Sequence, residues 1–315
     1  FTLTVRWGLR GASAQNHAAQ NPKEEEMFQQ VDPIDQLRDS QLDAVSALLA
    51  HAEVHKALAA QHTPLLVLDL DRVRGQYRRL TRALPYVRFH YAVKALDHPA
   101  VINTIAHEGG YFDAASDAEW SQLQQLGIAP ERIIHTNPIK KQSEIDAAVA
   151  AGIRTFVVDN LSELAKFETR LDASHDSIRL LIRLSYPNSE SKSDLSSKFG
   201  LTAQGANELM DAAYARGIRI AGFSLHVGSQ LDAPGRFAAA IADTLRLMDA
   251  IEARLPIRFE VLDIGGGFAV AYQDAVVSFE TIAALIGPLL APRSTELDIV
   301  AAPGRFVVAE AMTLF

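Results

Sequence analysis

Short apolar runs alternate with longer amphipathic segments along most of this chain. From residue 64 onward, runs rich in Val, Ile, Leu and Phe are separated by stretches whose apolar positions recur every three or four residues, which indicates alternating strands and helices. Eight runs are predicted to be strands, at residues 87–95, 110–116, 132–137, 155–160, 177–185, 218–229, 259–267 and 297–305. Several are apolar at odd and even positions alike, as parallel strands buried on both faces are. The pattern therefore predicts an α/β protein folded as a (β/α)₈ barrel, the TIM-barrel fold.

The first 63 residues lack this alternation. Apolar residues at helical spacing over residues 33–60 predict an N-terminal helical segment within residues 27–63. Residues 1–26 have no sustained apolar period, and we expect a disordered leader or a non-native extension there. The barrel is then expected to occupy residues 64–315.

Composition and charge narrow the functional classes. The formal net charge of −8 at pH 7 argues against a nucleic-acid partner, because clustered lysine and arginine bind phosphate backbones. No apolar run approaches the roughly 20 residues that cross a bilayer, so we expect no membrane partner and a cytoplasmic location. The sequence contains 0 cysteines, which excludes disulfides, thiolate metal sites and a cysteine nucleophile within it. No metal site is expected.

Polar and charged residues gather at the predicted carboxyl ends of the strands, where barrel enzymes hold their active sites. Any one of them alone could be solvated, structural or a helix cap, but their number at one rim indicates a functional site. They are Lys94, Asp113, Ser116, His135, Asn137, Asp159, Arg183, His226, Ser229, Gly265, Gly266, Gly267, Gly304 and Arg305.

A phosphate site is predicted after the last two strands. The triplet Gly265–Gly267 is compatible with a tight turn alone, but glycines also let backbone N–H groups approach a phosphate. Gly304 and Arg305 end the eighth strand, and loops at these two places commonly hold phosphate in such barrels. Lys94, at the end of the first barrel strand, would face this site. A lysine opposite a phosphate site indicates pyridoxal 5′-phosphate, whose aldehyde forms a Schiff base with an amine.

Seven short motifs then follow one another in a specific order. They are YAVK (91–94), FDAAS (112–116) followed by Glu119, NPIK (137–140), KFG (198–200), HVGSQ (226–230), DIGGGF (263–268) and PGR (303–305). In this order they resemble the alanine-racemase-fold (fold type III) pyridoxal-phosphate decarboxylases of ornithine, lysine, arginine and diaminopimelate. The detail is most similar to the ornithine/lysine decarboxylase branch.

The resemblance implies a role for each matching residue. Lys94, His226, Asp113 and Glu119 would be catalytic, with Lys94 forming the Schiff base and His226 stacking on the pyridine ring. The residues implied to bind the cofactor are Lys94, Arg183, His226, Ser229, Gly265, Gly266, Gly267, Ala302, Gly304 and Arg305. The polar connection at 186–197 would correspond to a mobile active-site loop. Such enzymes are homodimers, and each active site is completed by the C-terminal domain of the other subunit.

Two departures from the family pattern affect what the resemblance implies. Ala302 stands where the family has a glutamate that pairs with the pyridine nitrogen. A protonated nitrogen buried without that partner would cost several kcal/mol, so it should lose its proton and weaken the electron sink. The sequence also ends at Phe315, before the family's last barrel helix and its C-terminal β-domain, and we expect a truncated barrel.

The resemblance leaves several functions open. It implies decarboxylation of a basic L-amino acid, ornithine or lysine, to a diamine for polyamine synthesis. Diaminopimelate decarboxylation is the alternative with the same chemistry, since the residues that separate these substrates are expected beyond Phe315. A catalytically impaired homologue that binds pyridoxal phosphate or a protein partner is the alternative of a different class.

Replacing Ala302 by glutamate is expected to increase the rate of decarboxylation substantially. A carboxylate at this position would keep the pyridine nitrogen protonated and restore the electron sink. The measurement is CO₂ release by the Ala302→Glu variant and by its parent, and equal rates would contradict this interpretation of Ala302.

Overall fold

The eight alternating units close into a barrel of parallel strands. The computed structural model describes residues 42–43, 45–61, 63–174, 178–186, 198–231, 233–272 and 274–315. Ahead of the barrel lie helix α1 (Ala52–Gln61), strand β1 (Leu66–Leu68) and helix α2 (Leu70–Ala83). The barrel strands are β2 (Val87–Ala92), β3 (Tyr111–Ala114), β4 (Ile133–His135), β5 (Thr155–Val158), β6 (Arg179–Ser185), β7 (Ile220–His226), β8 (Val261–Asp263) and β9 (Asp298–Ala301). Each pairs in parallel with the next, and β9 pairs with β2, which confirms the (β/α)₈ barrel.

The helices of the outer layer connect these strands. They are α3 (Pro99–His107), α4 (Asp117–Gln125), α5 (Gln142–Ala150), α6 (Leu161–Ser174), α7 (Ala203–Ala215), α8 (Pro234–Arg254), α9 (Phe279–Leu290) and the short α10 (Arg305–Val308), which precedes strand β10 (Met312–Leu314). Several begin at side-chain caps: the Ser116 hydroxyl accepts the N–H of Glu119 at the start of α4, and such caps stabilise a helix start by about 1 kcal/mol.

Most barrel strands end earlier than the apolar pattern predicts. Lys94 was expected in the first strand, but that strand ends at Ala92 and Lys94 lies in a single 3₁₀ turn, Val93–Ala95. The glycines at 265–267 likewise lie beyond β8, which ends at Asp263. Apolar residues continue past the last strand pair because the adjoining turns are also buried, so hydrophobicity alone overestimates strand length.

The interior of the barrel is apolar at mid-height and ionic at its amino end. One buried residue from each of six strands forms a separate apolar cluster, consisting of Ile134, Val157, Leu181, Ala221, Val261 and Val300. At the amino end, Arg88 Nε lies 2.6 Å from Asp298 Oδ1 and Arg179 Nη1 lies 3.3 Å from Asp298 Oδ2. These layers close the amino end of the barrel, so a ligand enters at the carboxyl ends of the strands.

The expectation that the last barrel helix is missing needs correction. Helix α2 packs against α3, α9 and α10, and so fills the outer layer between the last strand and the first. Arg79 on α2 donates two hydrogen bonds of 3.0 Å to the Glu280 carboxylate on α9. The strand pairing that closes the barrel brings the helix before the first strand into this position.

The segments flanking the barrel differ in part from expectation. The single helical segment expected over 33–60 is interrupted by a turn at Ala50–His51. Among its described apolar residues only Leu48 is buried. Little packing therefore stabilises a continuous helix here, and packing is what stabilises most protein helices. Strand β1 pairs antiparallel with β10, a contact that the sequence did not indicate.

The predictions for residues 1–41 and for the 187–197 part of the loop lie outside the described residues. Among the described helices, none has both the length and the apolar character to cross a membrane.

Substituting Gly222 by alanine is expected to destabilise the barrel. A Cβ at Gly222 in β7 would lie 1.8 Å from the carbonyl oxygen of Val261 in β8, so the two strands would have to separate. Overpacking of this kind lowers the free energy of unfolding by about 1–3 kcal/mol or more. Gly75 in α2, where a Cβ meets nothing within 4 Å, is the control, and Gly75→Ala should raise that free energy by about 0.5–1 kcal/mol. Urea unfolding measures the free energy of unfolding of both variants. A Gly222→Ala variant with the same free energy of unfolding as the parent would contradict the close approach of β7 and β8.

Candidate active site

A cavity of about 770 Å³ opens at the carboxyl ends of the barrel strands. Ten of the twelve residues predicted for the site line it: Lys94, Asp113, Arg183, His226, Ser229, Gly265, Gly267, Ala302, Gly304 and Arg305. The other two lie behind its wall. Glu119 accepts the N–H of Ala115, and Gly266 lines a smaller neighbouring cleft.

Lys94 lies where the first and last strands of the barrel meet. The N–H of Ala92 donates to the carbonyl of Pro303 at 3.0 Å, and a Cβ at Gly304 would lie 3.0 Å from the Cβ of Ala95. Glycine at 304 therefore lets the two turns come together. The side chain of Lys94 is exposed, and its ammonium has no hydrogen bond or ion pair with any described residue, so it is free to bind a ligand in the cavity.

The glycine turn after β8 is organised by a buried aspartate. Asp263 accepts the Ser224 hydroxyl at 2.7 Å and the N–H of Gly265 at 2.8 Å. Gly265 has a φ of 71°, a conformation that glycine adopts without strain. Because its N–H donates to Asp263, Gly265 cannot offer that group to a phosphate. Of the triplet Gly265–Gly267, only the later two glycines can therefore donate an N–H to a phosphate.

The donors that remain form a cradle for an anion. Gly267 has a φ of 91°, and a Cβ there would lie 2.0 Å from the carbonyl oxygen of Gly228, so the loops after β7 and β8 touch. Within the described part of the chain, the N–H of Gly267, the Ser229 hydroxyl and the Arg305 guanidinium make no hydrogen bond to other residues. Three unpaired donors beside glycine backbone fit a phosphate group.

His226 presents a neutral ring. Its Nδ1 accepts the N–H of Gly228 at 3.0 Å, which places the ring proton on Nε2. Burial, aided by the charges of Arg183 and Lys94, lowers the pKa of His226 to about 3. The ring therefore stays uncharged at neutral pH and can stack against an aromatic cofactor.

The carboxylate of Asp113, with that of Glu119 behind it, forms an acidic side of the cavity. The Asp113 carboxylate accepts the Thr136 hydroxyl at 2.6 Å, which fixes its direction. Behind it, Glu119 accepts the N–H of Ala115 at 2.8 Å, and burial raises the pKa of this carboxyl. The acidic side can therefore interact with a cation or exchange a proton in the cavity.

Arg183 brings a cation to the same cavity. Its guanidinium lies 5.3 Å from the centre of the Phe199 ring and makes no hydrogen bond or ion pair with the residues that the structure describes. Burial lowers its pKa, while the carboxylates of Asp263, Asp159 and Asp113 act in the opposite direction.

Ala302 contributes a methyl group to the cavity wall. Its backbone N–H is not available to a ligand, because it donates to the carbonyl of Gly265 at 2.7 Å.

Several residues of the cavity were not among the predicted site residues. Thr136, Ser224 and Asp263 each hold another group of the site by a side-chain hydrogen bond, and Phe199 lies under Arg183. Asp263 and Phe199 fall within the motifs DIGGGF and KFG, which was the only signal available. Ser224 lies inside an apolar strand, where the sequence gives no indication of a role.

Comparison with known protein families decides the family of this chain. The family described as "Pyridoxal-dependent decarboxylase, pyridoxal binding domain" matches residues 70–309. The chain belongs to this family. The resemblance that the seven motifs indicate is therefore confirmed, and pyridoxal 5′-phosphate is confirmed as the cofactor. The unpaired Lys94, the anion cradle and the neutral His226 fit that cofactor.

The proteins to which the chain is similar include decarboxylases and an antizyme inhibitor. The chain is 36% identical over 251 residues to antizyme inhibitor 2 of Xenopus laevis and to ornithine decarboxylase of Mus pahari, covering 79% of this chain in both cases. It spans about half the length of these relatives, 54% and 53% respectively. A solved structure of lysine/ornithine decarboxylase from Vibrio vulnificus complexed with putrescine is 38% identical, with a TM-score of 0.75, and the alignment covers 84% of this chain and 70% of that one.

The buried Asp263 predicts a pH-dependent effect on stability. Burial raises the pKa of Asp263 from 3.8 to about 6, so the folded protein binds this proton more tightly than the unfolded chain does. The stabilisation is complete below about pH 4 and is lost as the pH rises through 6. Asp263→Asn stays neutral, and its amide oxygen can accept the N–H of Gly265 while its amide nitrogen donates to the Ser224 hydroxyl oxygen. Its free energy of unfolding should therefore increase relative to that of the parent between about pH 4 and pH 6.5.

Urea unfolding across this pH range tests the effect. Asp274→Asn is the control, because it makes the same substitution at an aspartate that is exposed on the surface. A pH-independent difference for Asp263→Asn would contradict the account of its burial.

Proposed function

We propose that this chain is the cofactor-binding barrel of a pyridoxal-phosphate decarboxylase that acts on ornithine or lysine and releases a diamine. The observation that carries the proposal is the unpaired Lys94 amine in the same cavity as the anion cradle of Ser229, Gly267 and Arg305. The relatives named ornithine decarboxylase and lysine/ornithine decarboxylase support a basic substrate.

The groups without partners in the cavity have roles in this reaction. Lys94 would be the covalent attachment point for the cofactor. Ser229, Gly267 and Arg305 would hold its phosphate, and the neutral ring of His226 would pack against the pyridine. When bound, pyridoxal phosphate accepts the electron pair that remains on the substrate's α-carbon when the carboxylate leaves as CO₂.

The charged walls orient the substrate. Arg183 is a partly desolvated cation suited to an anionic or electron-rich group, while Asp113 and Glu119 can hold an ammonium group or a proton near Lys94. Cytoplasmic location, a homodimer and a place in polyamine synthesis belong to the same proposal, and their support is the similarity to these relatives.

Ala302 favours a second candidate function. The methyl group there supplies no acid to protonate the pyridine nitrogen, and one relative is an antizyme inhibitor, a name that denotes action on another protein. The second candidate is thus an impaired homologue that binds pyridoxal phosphate or a protein partner. Diaminopimelate decarboxylation remains the alternative among enzymes of the same chemistry.

Measuring CO₂ release by the full-length protein tests the proposal. With a panel of ornithine, lysine, arginine and diaminopimelate, we expect release from ornithine or lysine and a background rate for Lys94→Ala. Lys56→Ala, which replaces an exposed lysine of α1 outside the cavity and the motifs, is the matched control for the cofactor's attachment and should keep the visible absorption of the bound cofactor. Absorption without CO₂ release would favour the second candidate in the form that binds pyridoxal phosphate. Absence of both would contradict the decarboxylase and favour the form that binds a protein partner.

A further inference from the structure

A buried cation lies directly behind the wall of the cavity. The side chain of Lys140, just before α5, is 0% exposed, and that of its partner Glu163 on α6 is 4% exposed. Lys140 does not line the cavity, so any part that it takes in the site acts through its neighbours.

The ammonium of Lys140 joins two strand ends. Its Nζ donates to the carbonyl of Asn137 at 2.8 Å and to the carbonyl of Val157 at 2.6 Å, and lies 3.7 Å from the Glu163 carboxylate. Lys166 Nζ donates in turn to the carbonyl of Lys140 at 2.6 Å. The turn after β4 is therefore fastened to the end of β5 by one side chain.

That turn leads directly to a cavity carboxylate. Thr136 and Asn137 line the cavity, and the Thr136 hydroxyl donates to Asp113 at 2.6 Å. The Asn137 side-chain amide donates to the carbonyl of Ala115 at 3.2 Å. A shift of the turn would move Thr136 and release the Asp113 carboxylate from its present direction.

Stability alone does not explain a cation at this position. Removing an ammonium from water costs several kcal/mol, and well-packed apolar residues often stabilise such places equally well. What the cation adds is direction, because its N–H groups bind one carbonyl in the turn after β4 and one in β5. We propose that Lys140 is a positioning residue that clamps the Thr136–Asn137 segment against β5 and so orients Asp113 toward the bound cofactor. This inference rests on the proposed function of the cavity.

The surroundings keep this clamp charged at neutral pH. Burial lowers the pKa of Lys140 to about 8, and the charge of Lys166 acts in the same direction, while Glu163 on α6 and Asp159 after β5 oppose the shift. His135 on β4 faces the same group, and burial together with the charge of Lys140 lowers the pKa of His135 to about 4. Lys140 is therefore a charged member of this group, together with Lys166, and His135 is neutral.

The test is the pH midpoint of the visible absorption band of the bound cofactor in the full-length protein. This readout does not need turnover, so it separates failure of the clamp from failure of the proposed decarboxylation. Lys140→Met should shift the midpoint by about one unit, as a displaced neighbouring carboxylate does, and should lower kcat about tenfold or more with little change in KM. Lys140→Arg should keep both the midpoint and kcat close to those of the parent, because it retains the charge and the donors.

A double-mutant cycle tests the route through Thr136. Thr136→Val should shift the midpoint by itself, and Lys140→Met added to it should produce little further change. Additive shifts, or a Lys140→Met variant with an unchanged midpoint, would overturn the proposal. Arg179→Met, which removes a cation at the opposite end of the barrel, is the control for lost stability and should leave the midpoint unchanged. If Lys140→Met does not fold, Glu163→Gln serves instead, with a smaller shift expected and an unchanged midpoint counting against the clamp.

Discussion

The pairing of the first and last barrel strands is the constraint on which the site depends. Because β2 and β9 are neighbours, the turn that carries Lys94 meets the turn at Pro303–Gly304, and the hydrogen bond between Ala92 and Pro303 fixes their distance at 3.0 Å. The same closure brings α2 into the outer layer beside α9. Lys94 and the phosphate cradle are thus brought into one cavity by the topology of the sheet, although more than 200 residues separate Lys94 from Gly304 in the sequence.

The layers inside the barrel confine the chemistry to one end. Ion pairs around Asp298 close the amino end, and an apolar cluster separates them from the carboxylates and Arg183 above. Polar groups that rest on this apolar layer lose part of their hydration, which is the cause of the shifted pKa values of His226 and Asp263. Unpaired donors in such surroundings interact strongly with a ligand, because water competes less for them.

The repeated elements were predictable from the sequence, whereas the contacts between them were not. Apolar periodicity located all eight strands, and the order of the motifs located Lys94, His226 and the glycine turn. Periodicity placed the strand ends too late, because the turn at Lys94 is as apolar as the strand before it. The pairing of Ser224 with Asp263 joins residues 39 positions apart, and the clamp at Lys140 joins the turn after β4 to strand β5. Neither leaves a local pattern, since both arise from tertiary packing.

The central claim is that Lys94, rather than another lysine, holds the cofactor. The most direct measurement is borohydride reduction of the full-length protein saturated with pyridoxal phosphate, followed by mass-spectrometric mapping of the modified peptide. The structure predicts one phosphopyridoxyl group, on Lys94, because its ammonium is unpaired and lies in the same cavity as the anion cradle. Modification of a different lysine such as Lys140, or of no lysine at all, would contradict this account.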